Sequence, residues 1–131
     1  MPIVQLVDDA SASDEVRAVF DDIRATRKTD FINNFWRAIA NDPKLLARTW
    51  ADLKAIMATP GTLDPLVKEM IYIAVSMTNN CEYCIHSHTA AARAKGMSEE
   101  QFMELVSVVG MANETNRLSI SLQVPVDDRF K

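Results

Sequence analysis

The sequence predicts an all-α protein, a compact bundle of about five to seven helices. Apolar residues recur at helical spacing through almost the whole chain. Twice an Asp is followed directly by Pro, at Asp42-Pro43 and Asp64-Pro65, which pairs a capping side chain with the residue best suited to a first helical position. Extended chain is hinted at only in "SISLQVPV", Ser119 to Val126, which is too little for a sheet.

Each element has its own local signal. In "SASDEVRAVFDDIRATRK", Ser13 is the expected N-cap, acids fill the first turn, and Val16, Val19, Phe20 and Ile23 share a face. "FINNFWRAIAN" is expected to place Phe31, Phe35 and Ile39 together, with Ile32 beside them. The helix opened by Pro43 carries Leu46, Trp50, Leu53 and Met57, and "TPGT" at Thr59 to Thr62 is a turn. "LDPLVKEMIYIAVSMTNN" is capped by Asp64. A further helix is expected from about Asn80 or Cys81 to Lys95, stopped by Gly96. Ser98, with Glu99, Glu100 and Gln101, reads as a capping box for the last long helix. The tryptophans and methionines read as core or interface packing, and Asp8, Asp9, Asp14 and Glu15 as solvated surface and helix-start charge.

With no repeat or linker, the 131 residues read as one domain, 1–131, with a redox core at about 64–98. The net charge of −4, without any run of Lys and Arg, argues against a nucleic-acid partner. The longest strongly apolar run, Met70 to Val75, is far short of the ~20 residues of a membrane span. "MPIVQLVDDASASDE" lacks the pattern of a secretory signal, so a cytoplasmic protein is expected. In a reducing cytosol, a lone Cys pair points to redox or metal chemistry rather than a structural staple.

That pair lies in "NNCEYCIHSHTAAARAKG", where both cysteines and both histidines of the chain fall within eight residues. On a helix with Cys81 at zero, Cys84 falls at about −60°, His88 at about −20° and His86 at about +140°. The thiols and His88 therefore share an apolar face, and His86 turns away. An i, i+3 pair can reach the ~4.4–6.8 Å Cα separation of a disulfide. Asn79 or Asn80 as cap would put Cys81 in the first turn, where the helix dipole lowers a thiol pKa. On the preceding helix, Glu69 shares an apolar face with Leu66, Ile73 and Ser76, so it must meet a partner or transfer protons. Burial is expected to raise its pKa.

Other readings of these residues exist. The cysteines could be small buried hydrophobes. Cys81, Cys84, His86 and His88 could bind zinc, but four ligands in one helix cannot surround a tetrahedral ion. A c-type haem needs CxxCH, and Ile85 follows the second Cys; a thioredoxin fold needs strands. Glu69 could be a structural carboxylate.

"KEMIYIAVSMTNNCEYCIHSHTAAARAKGMS" resembles the core of the alkylhydroperoxidase D-like family, within the carboxymuconolactone decarboxylase superfamily. The matching features are Glu69 twelve residues before Cys81, the Cys81-x-x-Cys84 pair, His88 four residues further on, and Gly96 closing the helix. Weaker similarity extends through "NRLSISL". The resemblance implies an all-helical fold, assembly as a homotrimer or homohexamer, and thiol peroxidase chemistry. It implies that Cys84 is the peroxidatic residue, that Cys81 resolves it, and that Glu69 and His88 form a proton relay. Such a mechanism needs no metal or organic cofactor. It needs a hydroperoxide and an external dithiol reductant, which could be a lipoyl-type or thioredoxin-like protein. The apolar stretch "FMELVSVVGM", Phe102 to Met111, is a further sign of an oligomer. The alternatives are a non-peroxidatic redox-sensing or thiol–disulfide module, and a lyase like the superfamily's decarboxylases.

Overall fold

A computed structural model describes all of residues 1–131. The chain is all-α, with six α-helices and no strand: α1 (Asp14–Arg27), α2 (Asn34–Ile39), α3 (Pro43–Leu53), α4 (Pro65–Thr78), α5 (Glu82–Ala94) and α6 (Glu99–Ser121). A π-helical turn, Lys54–Ala58, extends α3, and a 3₁₀ turn spans Asp128–Phe130. No helix is long and apolar enough to cross a membrane. The residues gather into two compact units, Met1–Pro60 and Gly61–Lys131.

The first unit is built on α1. Ser13 Oγ accepts the Val16 N–H at 3.3 Å, and Asp14 and Glu15 occupy the positive end of the helix. Its inward face, Val16, Phe20 and Ile23, packs with Ile32, Trp36, Ala40, Leu46 and Trp50. The two indoles meet edge to face, 5.4 Å between centroids. The expected grouping of Phe31, Phe35 and Ile39 is corrected here: Ile32 and Trp36 are buried, whereas Phe31 is 64% and Phe35 40% exposed. The reason is where α2 begins. Phe31 and Ile32 lie before α2, which begins at Asn34, so helical spacing does not govern them. Asp9 is also more than solvated charge, since it accepts from Arg24 at 2.6 Å and Arg37 at 3.1 Å. Arg37 further donates to the Val7 carbonyl, tying the N-terminal segment to α2.

The second unit is a helical hairpin, α4 and α5, with α6 packed against α4. Asp64 Oδ1 accepts the Leu66 N–H at 2.8 Å, and Pro65 occupies the first helical position. Ile73, Ala92 and Met97 form the buried centre, with Leu66, Met70, Met77, Phe102 and Leu105 around it. Gly96 takes φ 97°, the left-handed conformation that lets the chain leave α5 without a Cβ penalty. Ser98 and Gln101 then exchange both bonds of a capping box.

The tail departs from the extended reading. α6 continues through Ser121, and the Leu122, Gln123 and Val124 N–H groups still bond back to helix carbonyls. Ile120, Leu122, Val124 and Val126 alternate as a strand would, yet all four are exposed. With no sheet to pair with, residues 119–121 stay in the helix, which satisfies the backbone from within, and residues 124–127 leave it before the 3₁₀ turn. No residue of α6 is buried in this chain.

Candidate redox site

The site is assembled where α4 turns into α5. The Asn79 N–H bonds the Val75 carbonyl and the Asn80 N–H bonds Met77, so both asparagines finish α4 rather than cap α5. Asn80 makes the reversal at φ 57°, a left-handed conformation that Asn tolerates. The cap of α5 is Cys81 itself, which corrects the expectation that an asparagine caps and Cys81 lies in the first turn. Cys81 Sγ accepts the Cys84 N–H at 3.4 Å, its carbonyl accepts from Ile85, and its own N–H donates to Ser76. Cys81 and Cys84 are joined in a disulfide with Cα atoms 5.3 Å apart.

One turn beyond Cys84, His88 meets Glu69 of α4, Nδ1 to Oε2 at 2.7 Å. The other carboxylate oxygen, Oε1, accepts from Lys95 Nζ at 3.0 Å. The Glu69 side chain is only 7% exposed, against 17% for His88 and 39% for Lys95. Tyr72, one turn along α4 from Glu69, stacks on the imidazole with ring centroids 3.6 Å apart.

The electrostatics of Glu69 reverse the expected direction. Burial is the largest single influence and pushes its pKa up, but the hydrogen bonds from His88 and Lys95, with their charges, outweigh it. The carboxyl is held below its ordinary value, so it is ionised near neutral pH and can only accept. His88 Nδ1 therefore carries the hydrogen in that bond. In the neutral ring, Nε2 is left with a lone pair free to take a proton.

Of the residues singled out in the sequence, Glu69 and His88 are in direct contact, and Cys81 and Cys84 are bonded to each other on the helix that carries His88. His86 is exposed, and no three His, Cys, Asp or Glu side chains gather as a metal-binding group. Two contributors were missed, Lys95 and Tyr72. Lys95 had a signal: by 100° per residue it lies at about −40° from Cys81, on the face of both thiols and His88. Tyr72 had only its three-residue spacing from Glu69.

The fold and site define an all-helical protein with a Cys-x-x-Cys disulfide at a helix start and a buried Glu paired with a part-buried His on the adjoining helix. The model of the carboxymuconolactone decarboxylase family matches residues 43–126, and the chain belongs to that family. The crystal structure of the alkylhydroperoxidase AhpD core from Rhodospirillum rubrum superposes with a TM-score of 0.96 at 57% identity, covering 99% of this chain and 97% of that one. The alkyl hydroperoxide reductase AhpD of Solibacter usitatus is 30% identical over 92 residues, 70% of this chain and 50% of that protein. An uncharacterized protein of the cox locus in Paracoccus denitrificans is 36% identical over 56 residues, 43% of this chain and 50% of its own length. The (R)-2-haloacid dehalogenase of Pseudomonas putida is 27% identical over 114 residues, 84% of this chain and 36% of that enzyme. The chain thus spans half or less of the length of these curated relatives.

Proposed function

We propose that this chain is a thiol-dependent hydroperoxide reductase. The observation that carries the reading is the Cys81–Cys84 disulfide on the same helix as His88, whose Nδ1 is bonded to the buried Glu69. In the reduced protein, His88 Nε2 takes the Cys84 proton while Glu69 holds the ring by Nδ1. The Cys84 thiolate attacks the peroxide, an S–O bond forms as the O–O bond breaks, and the imidazolium returns the proton to the departing alkoxide. Cys84 is then a sulfenic acid. Cys81 attacks its sulfur, the Cys81 thiol proton leaves with the sulfenic hydroxyl as water, and the disulfide seen in the structure forms. An external dithiol, lipoyl- or thioredoxin-like in character, restores both thiols by two exchange steps. The cycle calls on no metal or organic cofactor.

Similarity to the Solibacter reductase and to the Rhodospirillum structure supports this reading. A reducing cytoplasm suits it, since the pair must be reduced between turnovers. The apolar residues exposed along α6 suit assembly into a homotrimer or homohexamer. The deciding experiment is hydroperoxide consumption with a dithiol supplied. Consumption that stops in Cys84→Ser supports the proposal. Thiols that cycle between dithiol and disulfide while peroxide persists would make the protein a thiol–disulfide module.

A further inference from the structure

Glu69 uses its two oxygens on two different residues of one helix. Oε2 faces His88 Nδ1 at 2.7 Å and Oε1 faces Lys95 Nζ at 3.0 Å. His88 and Lys95 are seven residues apart, two turns on the same face of α5, so a single carboxylate on α4 bridges them. Lys95 stands where α5 ends. Its backbone N–H closes the helix on the Ala91 and Ala92 carbonyls, and Gly96 turns the chain away immediately after it. Side chains lean toward the N-terminus of their helix, which directs the Lys95 stem back toward Glu69.

We propose that Lys95 is a positioning residue of the redox site, which anchors Glu69 Oε1 so that the ionised Oε2 is presented to His88. This rests on the proton-relay reading given above. The ammonium does two things there. It offsets the cost of a charged carboxylate that is almost wholly buried. It also shares the charge of Glu69, so that an imidazolium formed at His88 does not hold its proton against the leaving alkoxide.

The surroundings leave this role to Lys95. Among the other charged groups on the helices packed against α4, Arg93 is paired with Glu99 at 2.8 Å, while Glu82, His86 and Glu104 are exposed. On α4 itself, Tyr72 is stacked on His88 rather than bonded to Glu69, and Lys68 lies about 100° around the helix from Glu69. An exposed lysine–carboxylate pair is ordinarily worth little. Here the lysine is the partly exposed member and the carboxylate the buried one, so the pair matters through the charge state of Glu69.

The test uses the full chain with Lys95→Met, Lys95→Gln and Lys95→Arg. One readout is the titration of the Glu69 carboxyl by carbon NMR, which needs no peroxide. The other is the pH dependence of Cys84 oxidation by a hydroperoxide. Lys95→Met should move the Glu69 titration to higher pH, and it should slow Cys84 oxidation, because the unshared charge of Glu69 leaves an imidazolium at His88 holding its proton against the alkoxide. A loss of about tenfold on the acid side of the rate profile is expected. Lys95→Gln should behave likewise, and serves if the Met variant folds poorly; Lys95→Arg should restore both readouts. A wild-type titration and profile in the Met and Gln variants overturns the proposal. So does a moved titration with an unmoved rate profile, since Lys95 would then set a charge the reaction does not use. If even the wild-type protein leaves peroxide untouched, the reductase reading fails by itself, and a Glu69 titration that still moves upholds the positioning of Glu69 by Lys95.

Discussion

Tyr72 lies against the face of His88, ring centroids 3.6 Å apart and planes inclined by only 20°. Glu69, one turn earlier on α4, fixes the direction of Nδ1. The stack fixes the plane of the ring, so α4 sets both orientational freedoms of an imidazole carried on α5. Tyr72→Ala should keep the fold and release the ring plane, slowing Cys84 oxidation by about tenfold, since catalytic groups lose rate steeply with misplacement. Tyr72→Phe keeps the stacking surface and should stay near the wild-type rate. Stopped-flow oxidation of the reduced protein measures both. An unchanged rate in Tyr72→Ala would mean the stack is incidental packing.

The two sulfurs occupy unlike positions, which leads to a prediction of order. Cys84 is inside α5, one turn before His88, whereas Cys81 is the cap that receives the Cys84 N–H. Hydroperoxide treatment of Cys81→Ser should leave a sulfenic acid at Cys84 that a dimedone-type reagent captures and mass spectrometry locates. Cys84→Ser should lose at least about 10²-fold in oxidation rate, because Cys81 has no acid–base partner at the same spacing. A sulfenic acid found at Cys81 in Cys84→Ser, formed at the wild-type rate, would exchange the two roles.

What could be read from the sequence divides along the range of the interactions. Ser13, Asp64 and Ser98 were legible as caps because each acts on its own chain two or three residues away. The face shared by Glu69, Ile73 and Ser76 was legible because one helix period fixes it. The start of α2 was not, for Asn33 makes no side-chain cap bond, so Phe31 was grouped with Phe35 and Ile39 as if one helical spacing held them together. Cys81 as a cap was hidden because a thiol is a weak acceptor and two asparagines stood before it. Burial of Glu69 could be foreseen, but the second donor, Lys95, comes from the far end of α5. That contact, together with the hydrogen bond from His88, reversed the expected direction of its pKa.

The depressed pKa of Glu69 has a consequence for stability. A carboxyl whose folded pKa lies below its unfolded value favours folding fully above the unfolded value, about 4.3 for Glu. That contribution is lost as pH falls from there through the folded value. Glu69→Gln cannot gain or lose a charge. In urea titrations the wild type should therefore exceed Glu69→Gln in stability at pH 7, and the gap should narrow as the pH is lowered below the ordinary carboxylate range. A gap that widens in acid would mean a raised pKa, with burial prevailing over His88 and Lys95. The same variant should slow Cys84 oxidation by roughly 10²–10⁴-fold if Glu69 belongs to the relay. His88→Ala should do likewise, and the double variant should lose less than the two effects combined.

The outer face of α6 bears on assembly. Glu104, Val108, Met111 and Thr115 follow one another at three- and four-residue spacing, with Ser107 and Ala112 beside them, and line an open apolar groove. Met103, Val108 and Met111 are each more than half exposed, and no residue of α6 is buried in this chain. A helix this apolar on its outer face is ordinarily buried against another element, and a second copy of the chain offers the same face. Fully burying a Val or Met side chain contributes about 1.5–3 kcal/mol, so several per interface make a substantial driving force. Light scattering on a sizing column should give three or six times the 14.6 kDa of the chain. Val108→Glu with Met111→Glu places charge in the groove and should shift the population toward a single chain while leaving the helical circular dichroism in place. A wild-type protein that runs at 14.6 kDa at micromolar concentration would rule out the assembly and leave the apolar face of α6 without a partner.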